Sequence, residues 1–442
     1  MSDGPERQKG SVREPPQGFW SSLRYIGPGF ILSAALVGSG ELIVTTALGA
    51  KAGYVLLWFI IFSCGIKVVM QLEYGRHCIC YGRPTFQAWN FGQPEGKLHW
   101  SNYVATFFWA TQLLGFGGLV GGTAQVLSYA FSIPTIAGVG LLVVVIPLLL
   151  SHGRYGPVEW IAAAFNFVFA LAILYCVLAL QRTSYAFTMS DLAGGFSFHL
   201  SSETFVLALG LFGITGMGAA EIFVYPYWCL EKGYAAWTGP RDDSPEWTRR
   251  TRGWIRVMKI DAFISLVIYT TTTCSFYILG AAVLKPQSEI ADGNELIIQL
   301  SDIFTKVLGE WSKDIFMVCA FFVLFSTLFG ATAGATRIWT DLFGILRWID
   351  PNNDSHRRKS IAILAWANPV IWGISYLFIE MPLFLIVLWG IANSLFLTVV
   401  AYQALQYRYR QTIPQLRPSP GYDIALWVGF VSFCILALGS LL

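Results

Sequence analysis

The sequence predicts an all-α integral membrane protein of about eleven transmembrane helices. The first ten form a five-plus-five inverted repeat in which helices one and six are broken. Three observations predict this. The chain of 442 residues is 55% hydrophobic and only 12% charged, where a soluble domain carries about 25% charged residues. Many of its apolar runs exceed the roughly 18 residues that suggest a span. Two of those runs are interrupted in the same way, by a Gly-x-Gly with a glutamate close behind it.

The chain opens on a polar tail, residues 1–19, that reads as a disordered cytosolic segment. No short apolar core with a small-residue cleavage site follows it, so it does not read as a signal peptide. Residues 20–442 read as one transmembrane domain. Its spans lie near 28–49, 53–75, 102–130, 134–151, 157–181, 203–230, 256–283, 312–340, 360–379, 382–406 and 422–441. Repeat one covers about 28–182, repeat two about 203–407, and one extra helix about 422–441. The loops at 231–252 and 285–310 are too short for a separate domain. With the N-terminus inside, the cytosolic segments carry 23 Lys and Arg, and the outer loops carry only Lys51, Arg182, Lys285, Lys306 and Lys313. That bias sets the orientation. The odd span count puts the C-terminus outside. A net charge of +3, with basic residues spread over loops, gives no nucleic-acid footprint.

The first interruption is Val37-Gly38-Ser39-Gly40-Glu41, inside span one. Glycine loosens a helix and bares its backbone. A carboxylate at membrane depth is costly unless it is paired, hydrated or bound to a cation. Bare backbone at that depth is tolerated where it lines a cavity. A broken helix with an acid at the break is the usual pointer to a transporter's ion site. Thr215-Gly216-Met217-Gly218-Ala219-Ala220-Glu221 repeats the pattern in span six. Glu41 is therefore a candidate ion ligand or proton carrier, with Glu221 beside it; the bland alternative is a carboxyl bonded to exposed backbone. Gly216 and Gly218 would form the second break.

Other ionisable residues at depth are fewer. Lys67 sits in span two, at a depth that suits Glu221 better than Glu41; a snorkelling lysine is the alternative. Asp261 and Glu159 lie near the cytosolic face, where solvent or basic neighbours can satisfy them. Span eight carries Ser326, Thr327, Thr332 and Thr336 with Gly330 and Gly334. The glycines read as close-approach positions, with Thr327 as the hydroxyl assigned to the pathway. Most of the eight cysteines fall inside spans, so no disulfide framework is expected. His77-Cys78-Ile79-Cys80 lacks a second ligand cluster and reads as a helix end. No nucleophile–base pair or phosphate loop points to an enzyme, and no cofactor is expected.

Gly27-Pro28-Gly29, Gly49-Ala50 and Gly53-Tyr54-Val55-Leu56-Leu57-Trp58 resemble the Nramp family of divalent-metal transporters. Gln71, Arg76, Gly82-Arg83 and Arg154-Tyr155-Gly156-Pro157-Val158-Glu159 extend the resemblance. It spreads over about residues 20 to 410 and is strongest in spans one and two. It implies the inverted-repeat fold of amino acid–polyamine–cation transporters, in agreement with the broken helices.

The chain departs from that family where the metal would bind. Gly38-Ser39-Gly40-Glu41 stands where the resemblance implies Asp-Pro-Gly-Asn. Ala220-Glu221-Ile222-Phe223-Val224-Tyr225 surrounds the place of Met-Pro-His. In span three, Thr111-Gln112 stands where acids of a proton route are implied. A site of Glu41, Glu221, Ser39 and the bare carbonyls around Gly38 would be all oxygen. Oxygen ligands suit Mg²⁺ and Mn²⁺, while a thioether selects softer metals. The expectation is a secondary transporter that moves a divalent cation, Mg²⁺ or Mn²⁺ ahead of Fe²⁺, across the cytoplasmic membrane, with protons as the candidate coupling ion. Two alternatives stand beside it: a cation-coupled carrier of a small organic solute such as an amino acid, and a non-transporting membrane sensor or channel.

Overall fold

The computed structural model describes residues 12–26, 38, 40–94, 97–151, 155–285, 292–293, 295–350 and 353–440, with backbone alone at 151 and 155–163. Among these residues there is helix and no β-strand. Nine helical stretches among the described residues are long and apolar enough to cross a membrane, and Thr135–Leu150 is a shorter apolar one. The stretch Gly40–Tyr81 holds the second half of expected span one and all of span two. The first half of span one, 27–37, lies outside the described residues, as does Ser39.

After a short helix α1 (Phe19–Ser22), the chain is described at Gly38 and then as one π turn, Gly40–Thr45, that runs into α2 (Thr46–Ala52). Gly53, with φ +65°, ends it; only glycine adopts that conformation without strain. Next come α3 (Leu57–Tyr81), α4 (Thr85–Trp89), α5 (Trp100–Phe131), α6 (Thr135–Ser151), α7 (Tyr155–Ala179) and α8 (Met189–Gly194). The second half begins with α9 (Ser202–Ile214), α10 (Ala219–Lys232), α11 (Tyr234–Thr238) and α12 (Pro245–Leu279). It continues with α13 (Leu296–Leu308), α14 (Ser312–Ile345), α15 (Asp354–Ile379) and α16 (Pro382–Gln406), and α17 (Pro420–Gly439) closes the chain.

The packing repeats across the two halves. Helix α2 packs on α12, and its counterpart α10 packs on α3. Helix α5 lies against α6, α15 and α16; its counterpart α14 lies against α15, α6 and α7. Each helix thus meets the partner that an internal two-fold requires, as expected of an inverted repeat. Small residues allow backbone to touch backbone within the second half, at Gly213, and between the halves, at Gly280. A Cβ on Gly213 would stand 1.8 Å from the carbonyl oxygen of Gly390, and one on Gly280 2.2 Å from that of Thr46. Such contacts supply the dispersion and weak polar attraction that hold helices together in lipid.

Several expectations need correction. Among the described residues Gly330 and Gly334 are not close-approach positions, because none of those residues lies within 4 Å of a Cβ at either. The packing glycines of that kind are Gly117, Gly118 and Gly121 of α5 instead, which meet α15 and α16. Of the tail expected to be disordered over 1–19, the structure describes the part from Val12. The Trp254 indole N–H donates to the Arg13 carbonyl and the Arg13 N–H to the Trp237 carbonyl, each at 3.0 Å. Residues 1–11 lie outside the described part. Span two runs on to Tyr81, so Arg76 is a buried helix residue paired with Glu73, and not a loop cation. Span seven starts eleven residues early, at Pro245, because Ser244 caps it and accepts from the Trp247 N–H at 3.1 Å. The outer loop at 285–310 contains α13, which buries Leu296, Ile297, Leu300, Ile303 and Phe304 on one face.

Candidate ion site at the two helix breaks

Helix α9 stops at Ile214 because the next residues leave helical space. Thr215 is extended, and Gly216 takes φ +58°. Gly218 then caps α10, and its carbonyl accepts from the Ile222 N–H at 3.0 Å. The break is thus four residues of open backbone, Thr215 to Gly218, inside a buried apolar run. In the first half, the Gly38 carbonyl accepts from the Leu42 N–H, also at 3.0 Å. Gly38 and Gly218 therefore occupy the same position at the start of two half-helices.

Glu41 follows Gly38 by three residues, and Glu221 follows Gly218 by three. That is the spacing at which a glutamate reaches back to the start of its own helix. The Glu41 carboxylate does so, accepting from the Gly38 N–H at 3.2 Å. Its other oxygen accepts from the Gly216 N–H at 3.3 Å. One side chain thus ties both breaks together, and the two spans lie side by side. Glu221 curls over its own first turn, with one oxygen 2.5 Å from where a Cβ on Gly218 would stand. Glu41 is sealed, at 2% exposure, while Glu221 is only partly buried. The two carboxylates are within electrostatic reach of each other, and like charges oppose.

A carboxylate at membrane depth costs about 2.5–3.5 kcal/mol on insertion scales. A hydrogen bond to a charged group returns about 1.5–3 kcal/mol. Two such bonds match the cost of placing Glu41 here, so it can stay at the break without a cationic side chain. No Lys or Arg lies within 4.0 Å of either carboxylate among the described residues.

Lys67 is placed differently from its expected pairing with Glu221. It is fully buried, and its ammonium donates to the carbonyls of Phe212 at 2.6 Å and Thr215 at 2.5 Å. It also lies over the Phe212 ring, 5.0 Å from the centroid. Those carbonyls end α9, where a helix leaves its acceptors unpaired and its dipole negative. Burial in the bundle also excludes the snorkelling alternative. Both carboxylates still act on Lys67 electrostatically.

The other sequence candidates divide. Gln112 is buried on α5, and its amide oxygen has no partner among the described residues. Thr327 donates to the Val323 carbonyl of its own helix at 2.9 Å, which accounts for its hydroxyl without a pathway. The side chain of Glu159 lies outside the described residues, and Asp261 is buried on α12. Sequence reading missed Asn393. Its amide oxygen accepts from the Ala220 N–H at 3.1 Å, beside Glu221. A buried asparagine in the apolar run of span ten was the available signal. Among the described residues no three His, Cys, Asp or Glu gather to hold a metal. Glu41 and Glu221 would have to be completed by backbone carbonyls. Clefts of about 600 and 630 Å³ open elsewhere, lined by residues such as Asn90 and His356 or Gln125 and Tyr129; Glu41 lines neither.

Two half-helices that meet head to head inside an inverted repeat define the broken-helix membrane transporter class. Solved structures bear out the fold. The Eremococcus coleocola manganese transporter superposes with a TM-score of 0.69 at 18% identity, covering 98% of this chain and 90% of that one. MhsT, solved in complex with L-phenylalanine, superposes with a TM-score of 0.57 at 12% identity, covering 96% and 99%. Residues 29–442 match the family described as natural resistance-associated macrophage protein-like, Nramp, and the chain belongs to it. The divalent metal cation transporter MntH of Latilactobacillus sakei is 28% identical over 276 residues, 60% of this chain and 56% of that protein. MntH of Xylella fastidiosa is 25% identical over 324 residues, 70% and 63%. The chain thus spans little more than half the length of these relatives.

Proposed function

We propose that the protein is a secondary transporter that carries a divalent metal cation across the cytoplasmic membrane by alternating access. The single observation behind this is the pair of capping glutamates. A half-helix N-terminus ordinarily offers bare N–H groups and a positive dipole to an anion, such as a substrate carboxylate. Here Glu41 accepts from the Gly38 N–H and the Gly216 N–H. Glu221 covers the first turn of α10. Both anion positions are filled by the chain itself, and what remains at the break is negative charge and carbonyl oxygen. That favours a cation over an amino acid, even though a solved relative of the same fold holds L-phenylalanine. The names of the MntH relatives support the same reading.

The donor set is oxygen alone: Glu41, Glu221, carbonyls such as that of Gly38, and Ser39. Mg²⁺ and Mn²⁺ suit it better than Fe²⁺. Protons are the proposed coupling ion, and the basic-residue bias supports a cytosolic N-terminus with the C-terminus outside. The test is uptake by purified protein in liposomes, screened across Mg²⁺, Mn²⁺, Fe²⁺, Ca²⁺ and several amino acids. Saturable Mg²⁺ or Mn²⁺ uptake is expected. Uptake of an amino acid with no divalent cation moved would overturn the reading.

A further inference from the structure

Lys67 supplies an inference about a different ion. In broken-helix transporters, the C-terminal ends of half-helices and their unwound carbonyls coordinate the coupling cation. In this chain that position at the end of α9 holds an ammonium. Lys67 Nζ is bonded to the Phe212 and Thr215 carbonyls, with no carboxylate within 4.0 Å among the described residues. Further oxygens lie close by in sequence. Among the described residues the Thr215 hydroxyl is buried and has no hydrogen-bond partner. The same holds for that of Ser63, one turn before Lys67 on α3. Gln71, one turn after Lys67, is fully buried, and both its amide atoms likewise lack a partner among those residues. Spacing of four residues puts Ser63, Lys67 and Gln71 on one face of the helix. A buried ridge with this much unused polar capacity is costly unless it solvates an ion or water.

We infer that the Lys67 ammonium is the tethered occupant of a monovalent-cation site built from the Phe212 and Thr215 carbonyls. The chain carries its own cation at the break in span six and needs no Na⁺ or K⁺ there. Removing the ammonium empties the site, and a small cation then refills it. The inference goes beyond the divalent-cation reading, and its measurement needs no transport.

The test uses the full chain, purified in detergent, and follows its thermal midpoint in choline chloride, NaCl and KCl at equal ionic strength. Wild type should be insensitive to which cation is present, within about 1 °C. Lys67→Ala should melt lower in choline, then rise saturably by at least about 2 °C with Na⁺ or K⁺. Lys67→Met, which keeps the apolar stem and removes only the charge, should fall in choline likewise. Lys67→Arg keeps a cation and should stay insensitive. Recovery of Lys67→Ala equally in choline, or in no salt at all, would overturn the inference. A saturable rise of the wild type with Na⁺ or K⁺ would overturn it too, and that arm needs no variant to fold.

Discussion

The two breaks share a backbone and differ in what their glutamates do. Gly38 and Gly218 start their half-helices with matching 3.0 Å hydrogen bonds, to Leu42 and Ile222. Each is followed at three residues by a glutamate. Glu41 then does something Glu221 does not: it crosses to the other break and binds the Gly216 N–H. It is sealed by that contact, whereas Glu221 keeps part of its surface exposed. The same local capping rule thus yields a linking carboxylate in one half and an available one in the other. The two halves of the repeat differ at the break: Glu41 ties the two breaks together, and under the proposed function Glu221 is the acid left available to an ion.

The largest expected effect separates the two acids. Glu41→Gln removes the charge and, while keeping the shape, keeps one weakened bond and turns the other acceptor into an NH2 that faces an N–H donor. Divalent-cation binding, measured by calorimetry, should fall at least about tenfold, or about 1.4 kcal/mol. Glu221→Gln can still reach back to its helix start, since glutamine serves in that position as well. Its binding should fall only about threefold, with stability unchanged. Equal losses in the two variants would erase the division between them. Wild-type affinity and pH-dependence in Glu41→Gln would take Glu41 out of the mechanism.

A smaller effect attacks the link itself. Gly216 holds φ +58°, and a Cβ there would stand 2.7 Å from the Tyr269 ring and 3.3 Å from the Cys64 sulfur. Gly216→Ala should lower stability by about 1 kcal/mol from the left-handed backbone alone, with Tyr269 forced to move. It should also turn the N–H that Glu41 receives. The checks are the unfolding midpoint and the cation affinity of the same preparation. A stable variant with unaltered affinity would show that the bond from Gly216 does not set the site.

The fold was largely legible because membrane physics writes it in composition. Pro382–Gln406 is span ten to the residue, and the sixth-span break falls at the glycines that mark it. Boundaries failed where a polar residue is buried by a partner distant in sequence. Arg76 reads as the end of a span until Thr412, 336 residues away, accepts from it at 2.6 Å. The site was legible in its residues and not in its register. The visible pattern was Gly-x-Gly followed by glutamate, which makes Glu221 look displaced relative to Glu41. The physical repeat is Gly38 to Glu41 and Gly218 to Glu221, fixed by cap geometry that a string of letters does not display. Lys67 was misassigned for a related reason. Depth along a helix ranks it against carboxylates, but its partners are carbonyls, which every residue carries.

The smallest expected effect concerns softness at the available acid. Two positions in the sixth span invite a thioether, Glu221 and Ile222, and burial now chooses between them. Ile222 is fully buried in the apolar core, so methionine there would change packing and not the donor set. Glu221 is partly exposed at the first turn of α10, beside the Ala220 N–H that Asn393 accepts. Glu221→Met exchanges a hard oxygen for a polarisable sulfur. It also removes the opposing charge near Glu41 and the reach-back to Gly218. Total affinity should therefore decline for every ion, while the ratio of Cd²⁺ or Mn²⁺ to Mg²⁺ uptake should rise about three- to tenfold, because sulfur favours softer ions. Competition uptake in one set of liposomes measures the ratio free of differences in protein amount. Glu221→Leu is the control, equal in bulk and without sulfur. A ratio that rises equally in both variants would assign the change to lost charge, and a ratio unmoved in both would place Glu221 outside the ion's coordination.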